Sequence, residues 1–293
     1  MEKLIATKSL RIDKYLDENL DETRTKIQKL IKNGNVLVNG RQVKSNHNLK
    51  ENDIIEIDTN YKEVSTLQGE AIDLDIVYED NDVIVINKAS GMVVHPAPGH
   101  YSGTLVNALI GHNKELSEDD ERPGIIHRID KDTSGLLLVV KNEKAHQFLT
   151  NEMKEHKVKR LYIALVEGVI NHDTGTIEAP IGRDAKNRKK MAVTDVHAKE
   201  AITHFKVLKR FEKATLLECR LETGRTHQIR VHMKYIGHPI INDPMYNNRK
   251  ATDTYGQLLH ATTLSFVHPT TKVEMTFTRE IPEQFKEMLK TFE

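Results

Sequence analysis

The chain has one cysteine, Cys219, no tryptophan and no net charge. A single thiol excludes an internal disulfide, and without cysteine pairs the expected setting is a reducing cytoplasm. No apolar run approaches the ~18 residues that a membrane span requires. The opening stretch MEKLIATKSLRIDKYL lacks the apolar core of a signal peptide. No cluster of Cys or His has metal-ligand spacing, so no metal is expected. Cys219 lies in the apolar run ATLLECRLET, which reads as a strand and makes it a buried thiol rather than a nucleophile.

What is present is enough for roughly two domains in 293 residues. A hydrophobic fraction of 38% supplies a real core, and 29% charged residues keep the chain soluble. The balanced total hides a local segregation. Thr23–Lys50 carries Arg24, Lys26, Lys29, Lys32, Arg41, Lys44 and Lys50 and no acid; DKYLDENLDE and ENDIIEID on either side carry the compensating carboxylates. From charge alone this window is either a surface that attracts phosphates or an ordinary solvated face.

The window also has a structural reading. SLRIDKYLDENL and TRTKIQKLIKNG have apolar residues at helical spacing, with Thr23 or Thr25 able to cap the second and Gly34 able to end it. NVLVNGRQV is a hairpin signal around Asn39-Gly40, and DIIEI is a further strand. Helix, helix, hairpin and strand in this order resemble the S4 RNA-binding domain, over Leu10 to Ile57, which implies RNA binding and no reaction of its own. The expected organisation is an S4-like domain over residues 8–60, a polar linker over 61–75 and a second domain over 76–293.

The second domain is strand-rich. IVYEDNDVIVINK, GLLLVVK, RLYIALVEGVI, AITHFKVLKRF, ATLLECRLE, TLSFVHP and VEMTFT read as strands, and LVNALIGHN, KAHQFLTNEMKEH, THQIRVHMKYIG and PEQFKEMLKTF as helices. Short turns between neighbouring strands favour an α+β fold built on a largely antiparallel mixed sheet.

Two charged constellations interrupt this pattern. In HRIDKDTSGLLLVVKN, Asp130 sits on a loop just ahead of a core strand, where a rigid scaffold can hold it. The stretch reads equally as a polar loop whose Asp, Thr and Ser side chains bond their own backbone. A glycosidase-like pair needs a second acid, and Asp132 stands too close in sequence to be an obvious one. In TGRTHQIRVHMKYIGHP, Thr226 can cap a helix, and Arg225, His227 and Arg230 crowd its start. The helix dipole disfavours cations there unless an anion meets them, the alternative being three solvated side chains.

NKASGMVVHP, HRIDKDTSGLLLVVKN, KRLYIALVEG and LETGRTHQIRVHMKYIGHPIINDPMY together resemble the RluA family of pseudouridine synthases over nearly the whole chain. With the S4-like front end the similarity is to RluD-type members, which act on large-subunit ribosomal RNA. Ala89 stands where the family has Pro, Ile129 where it has Leu and Asn242 where Gly is common. The resemblance implies that Asp130 is the catalytic carboxylate, that Arg128 enters the RNA stack when the uridine flips out, and that Tyr162 stacks on the flipped base and serves a later proton transfer. It implies that Arg230 holds Asp130 ionised, that Ile229 walls the base pocket, and that Lys88 and His127 contact the pocket or the RNA backbone. Tyr162 also reads as a plain core aromatic, because both faces of its strand are apolar. The isomerisation needs no net oxidation, hydrolysis or energy input, hence no cofactor. The partner implied is RNA, ribosomal RNA or an assembling large subunit, with the enzyme a monomer. A transfer-RNA synthase and a non-catalytic assembly factor are the alternatives.

The basic window is expected to supply affinity and no chemistry. Reversing Lys26, Lys29 and Arg41 to Glu should weaken RNA binding and flatten its salt slope by about 0.7–0.9 for each phosphate no longer neutralised. Turnover at saturating RNA should be nearly intact. Binding titrations across a salt series, with turnover measured alongside, check this; a fall in turnover with unchanged binding contradicts it.

Overall fold

The computed structural model describes residues 2–20, 22, 24–58, 67–96, 100–112, 123–249, 251 and 255–293, and its chain separates into the units Met1–Val64 and Ser65–Glu293. In the first unit, β1 (Glu2–Ile5), α1 (Ile12–Asn19), α2 (Arg24–Lys32), β2 (Val36–Val38), β3 (Arg41–Gln42) and β4 (Ile54–Ile57) form an antiparallel sheet of order β1-β4-β2-β3 with two helices. Ile12, Tyr15 and Leu16 from α1 and Ile27, Leu30 and Ile31 from α2 pack on Val36, Val38, Ile55 and Ile57. The Asn39-Gly40 turn has φ 51° and 76°, the two left-handed residues that a tight hairpin requires. Asn39 also accepts the Ile54 N–H through its side chain at 2.9 Å.

Arg24, Lys26, Lys32, Arg41, Lys44 and Lys50 are exposed and Lys29 is half-buried, spread over α2, β3 and the segment after it. Lys26 pairs with Glu22 at 2.6 Å. Thr23 lies outside the described residues. Strand β1 is absent from the sequence reading, since EKLI is too short for its alternation to register. The expected linker also ends earlier than residue 75. Residues 61–66 lie outside the described residues, but Gln68 and Glu70 bond Asn107 at 2.8 and 2.9 Å. Gly69 lies so close to Gly111 that a Cβ would meet its backbone at 2.9 Å.

The second unit holds β5 (Ile76–Glu79), β6 (Val83–Lys88), α3 (Leu105–His112), β7 (Ser134–Val140), α4 (Glu143–Lys154), β8 (Lys159–Glu167), β9 (Thr174–Glu178), β10 (Ile181–Arg183), β11 (Met191–Val193), β12 (Ile202–Arg210), β13 (Ala214–Leu221), α5 (Gln228–Tyr235), β14 (Leu259–Val267), β15 (Glu274–Thr278) and α6 (Glu283–Lys290). The nine-stranded sheet runs β5-β6-β7-β14-β8-β13-β12-β9, with β15 on β14 and β10-β11 a separate hairpin. Pairing is antiparallel except between β7 and β14, so the sheet is mixed, as expected. Strands β9, β10 and β11 are missing from the sequence reading; β9 is exposed at alternate positions and carries little apolar signal.

Strand β7 is buried along its whole length, because helices cover both faces of the sheet there. Leu137 and Val139 point into the core shared with Leu105, Leu109 and Ile229, while Leu136, Leu138 and Val140 point into the core shared with Ala145 and Leu149 of α4. This two-sided burial is why GLLLVV reads as one continuous apolar run. Gly135 has φ 112°, and a Cβ there would fall on the Ala261 carbonyl of β14. Gly135→Ala is therefore expected to cost roughly 2–6 kcal/mol, the sum of left-handed strain and overpacking. Urea unfolding of the two proteins measures it, and a loss under about 1 kcal/mol contradicts the close approach.

Candidate active site

Asp130 lies on the loop that feeds β7, closed by a turn from Thr133 N–H to the Asp130 carbonyl at 3.1 Å. Its Oδ2 accepts from Arg230 Nη1 at 2.8 Å. The other edge of the Arg230 guanidinium is bidentate on Asp243, with Nε–Oδ2 at 2.7 Å and Nη2–Oδ1 at 2.9 Å. Side-chain exposure falls from 16% at Asp130 to 5% at Arg230 and 0% at Asp243. Arg230 thus bridges two carboxylates, one fully enclosed and one facing a cavity. Its own burial disfavours its charge, but Asp243 and Asp130 together hold its pKa above the ordinary arginine value. Burial works against ionised Asp243 too, yet Arg230 and the N–H groups of Met245 and Tyr246 keep its pKa low.

Of the basic residues crowding the start of α5, Arg230 meets carboxylates of the chain itself, whereas Arg225 Nε donates to the Glu200 carbonyl at 2.8 Å. The helix begins differently from the expectation at Thr226. His227 is the N-cap, left-handed at φ 57° and without a side-chain cap bond. Gln228 ties the turn instead, its Oε1 accepting from Thr223 Oγ1 at 2.7 Å and from Arg225 N–H at 2.9 Å. His227 Nδ1 is 2.8 Å from the Tyr246 hydroxyl, which also accepts the Met191 N–H at 2.8 Å. The arrangement that uses every partner has the Tyr246 proton donated to Nδ1, leaving the His227 proton on Nε2, 3.9 Å from Asp130 Oδ1. Burial lowers the His227 pKa, with Asp130 opposing, and pushes the Tyr246 phenol up to about 12. The Tyr246 ring lies 5.0 Å from the Arg230 guanidinium.

Tyr162 stands on β8 with its side chain 5% exposed, in the main core and also at the cavity that Asp130 faces. Burial raises its pKa, so its phenol keeps its proton. The core reading and the site reading of Tyr162 are thus both met by one position. Ile229, 3% exposed, walls the same cavity, and Arg128 is exposed at its edge with Nη1 3.2 Å from His95 Nε2. The cavity is only about 50 Å³. It adjoins a cleft of about 530 Å³, and Arg128, Arg160, Gly224 and Arg225 line both. Asp132 is not among the lining residues; its carboxyl packs against Gly256.

Of two further residues expected to contact the pocket or the RNA, Lys88 lines neither cavity nor cleft and His127 lines the cleft, and both are held by bonds within the chain. Lys88 is 1% exposed, and its ammonium donates to the carbonyls of Ala89, Met92 and Lys131 at 2.7, 2.9 and 2.9 Å. All three of its protons are taken, leaving none for a phosphate, so it fixes the 88–92 loop to the Asp130 loop. Burial pulls its pKa down to about 7; Asp132 and Asp130 oppose this, and the three carbonyls favour the ammonium form. His127 is buried, its Nε2 accepting the Leu138 N–H at 2.9 Å, and burial lowers its pKa to about 3. It is a neutral anchor of the loop on β7. Cys219 is fully buried, its thiol pushed up to about 12.

The residues missed by sequence reasoning are Asp243 and Arg160. Each is a charge inside an apolar run, PIINDPMY and RLYIALV, and such a charge needs a reason to be there. Asn242, where Gly is common in the resembling family, has φ 62°, a conformation that Asn tolerates. Asp80, Asp82 and His268 also gather within 4.8 Å. Asp80 already accepts from Tyr78, His268 and the Asp82 and Val83 N–H groups, which makes the group a closure of the β5–β6 turn.

A family model described as RNA pseudouridylate synthase matches residues 82–235, and one described as S4 domain matches residues 10–55. The chain is 53% identical over 286 residues to Uncharacterized RNA pseudouridine synthase YlyB of Bacillus subtilis (strain 168), covering 96% of this chain and 94% of that one. It is 42% identical over 292 residues to Ribosomal large subunit pseudouridine synthase D of Neisseria meningitidis serogroup B, covering 95% of this chain and 78% of that one. The solved structure of Human RNA Pseudouridylate Synthase Domain Containing 1 shares the fold, with a TM-score of 0.59 at 24% identity over 76% of this chain and 96% of that one.

The neutral buried histidines give a pH dependence. Unfolded imidazoles take up protons near pH ~6.5, whereas folded His127 does so near 3 and His260 near 4. Between these limits the unfolded state binds more protons, so stability falls as pH falls. The expected slope below pH ~6 is up to about 1.4 kcal/mol per pH unit for each histidine. Urea unfolding at a series of pH values measures it, and His127→Gln should remove part of the slope. A flat profile from pH ~6.5 to ~4.5 contradicts the assignment.

Proposed function

The chain belongs to the RNA pseudouridylate synthase family, and from that premise we propose that Asp130 acts on uridines of large-subunit ribosomal RNA, free or in an assembling particle. The observation that carries the residue assignment is the Asp243–Arg230–Asp130 chain of charge-assisted bonds, which fixes one carboxylate at the edge of a cavity. The substrate assignment rests on the S4 match and on the name of the 42% identical relative.

Isomerisation breaks the N1–C1′ bond, turns the uracil and joins C5 to C1′. A base stacked in RNA is out of reach of a recessed carboxylate, so the nucleotide must flip into the site. Arg128, exposed at the cavity edge, takes the vacated place in the stack. Asp130 Oδ2 is engaged by Arg230, which leaves Oδ1 as the oxygen that meets the nucleotide. An ionised carboxylate there is competent to attack C1′ or to take the C2′ proton, and the same oxygen serves both. Tyr162 stacks on the base, and once C5 has joined C1′ its neutral phenol serves as a relay, the hydroxyl oxygen taking the proton that leaves C5 as its own proton passes on towards N1, which gains one. Ile229, Tyr162 and Leu259 give the cavity one apolar wall for the base, the rest of its lining being mostly polar and charged. A glycosidase would need a second carboxylate placed to activate water, and Asp130 is the sole acid among the lining residues.

Asp130→Asn is expected to fold and bind RNA with little loss and to form no detectable pseudouridine. Asp132→Asn should keep substantial activity, because its carboxyl lies against Gly256. Tyr162→Phe should bind within about tenfold of the parent, since stacking worth about 1–3 kcal/mol is kept, but form product slowly or stall. Single-turnover assays on unmodified large-subunit ribosomal RNA test all three, with pseudouridine maps of cells lacking the gene as the check on the substrate. Activity in Asp130→Asn and none in Asp132→Asn contradicts the carboxylate assignment.

A further inference from the structure

Of the two buried arginines of the site, Arg230 is paired with carboxylates, whereas Arg160 has no carboxylate partner among the described residues. It stands on β8 two residues before Tyr162, on the same buried face, and is 7% exposed. Its Nε is enclosed with no hydrogen-bond partner. The carboxylates that line its surroundings are engaged elsewhere: Asp130 bonds Arg230 at 2.8 Å and Glu222 bonds His204 at 2.6 Å. A buried cation without a partner costs several kcal/mol in general, so a ligand that supplies the missing anion is the natural reason to keep one.

The surroundings say where that anion comes from. Arg128, Arg160, Gly224 and Arg225 are the residues shared by the catalytic cavity and the neighbouring cleft, so three guanidinium groups mark the passage between them. The cleft is lined further by Lys154, His95 and His156, with Glu222 its only acid. The charge of Arg160 acts on His127 on the cleft side and on Tyr162 on the cavity side. Gly224 makes room for it: a Cβ there would lie 2.9 Å from Arg160 Nη1. The glycine of the TGRTHQ stretch thus lets the backbone pass over the guanidinium.

We propose that Arg160, with Arg225 beside it, is a phosphate subsite that takes a phosphodiester of the RNA strand where it passes from the cleft into the catalytic cavity. It rests on RNA being the substrate and adds the path of the strand. A planar guanidinium lining both cavities suits a phosphate oxygen. Held there, the phosphate sets how deep the flipped nucleotide enters, so Arg160 is a positioning residue and Asp130 the reacting one.

The test compares the parent protein with Arg160→Met and Arg160→Lys in two measurements. Melting is followed with inorganic phosphate against chloride at equal ionic strength, and binding to unmodified large-subunit ribosomal RNA is followed across a salt series. Without phosphate, Arg160→Met should melt at or above the parent temperature, since an uncompensated buried charge is gone. Phosphate should raise the melting temperature of the parent and leave that of Arg160→Met unmoved. RNA affinity should fall at least about tenfold in Arg160→Met, the low end for a charge-assisted bond, and the salt slope should drop by about 0.7. Arg160→Lys should fall between. A lowered melting temperature in Arg160→Met with an unchanged salt slope and equal phosphate response overturns the subsite and makes Arg160 a packing residue. A phosphate response confined to Arg160 in a parent that makes no pseudouridine on this RNA supports the subsite and counts against the ribosomal assignment alone.

Discussion

The Arg230 guanidinium, forked between Asp243 and Asp130, is the contact on which the site depends. It joins the loop before β7, 100 residues away in sequence, to the first turn of α5 and to the loop after Pro239, 13 residues beyond Arg230. Asp243 uses both oxygens on Arg230 and also accepts the Met245 and Tyr246 N–H groups through Oδ1, so it has little freedom to shift. The fork is thereby aimed, and Asp130 inherits that aim. Removing Arg230 is expected to cost about 3–5 kcal/mol, because both carboxylates then lose the cation that pairs them.

The scaffold around this contact trades stability for position. Lys88, buried with its charge on three carbonyls, pins the 88–92 loop to Lys131 next to Asp130. His127 gives its only basic nitrogen to the β7 backbone and stays neutral. Gly135 lets β7 and β14 approach where a side chain would collide. None of these lies among the residues facing a flipped base, yet each restricts the loop that carries Asp130. An arginine left without a counter-ion at the cavity's edge follows the same logic, its compensation arriving with the RNA.

Among the described residues, most of the strands and all six helices are legible in the sequence because their apolar spacing is set by the faces they bury. What escapes is governed by contacts rather than periodicity. Strands β1 and β9 to β11 are short or half-exposed, and their hydrogen bonds to neighbours define them more than their composition does. The start of α5 misleads because Thr226 is a good cap by type, whereas the turn is held by the Gln228 side chain and a left-handed His227. Asp130, Arg230 and Tyr162 are picked out as a set by family resemblance, and the structure brings them to one cavity. Lys88 and His127 are basic residues beside the Asp130 loop whose own hydrogen bonds only the structure shows, with His127 also lining the neighbouring cleft. Asp243 is visible only as an acid in an apolar stretch, with nothing in the sequence to name Arg230 as its partner.

The central claim is that Asp130 is positioned by a relay reaching back to a residue that never meets the RNA. Asp243→Asn tests it most directly, by single-turnover pseudouridine formation at saturating large-subunit ribosomal RNA with the dissociation constant measured in parallel. The account predicts a folded protein with nearly unchanged RNA affinity and a rate lowered about 100-fold, the scale expected when a reacting group is misplaced by about 1 Å. A folded Asp243→Asn variant that converts uridine at the parent rate would contradict it.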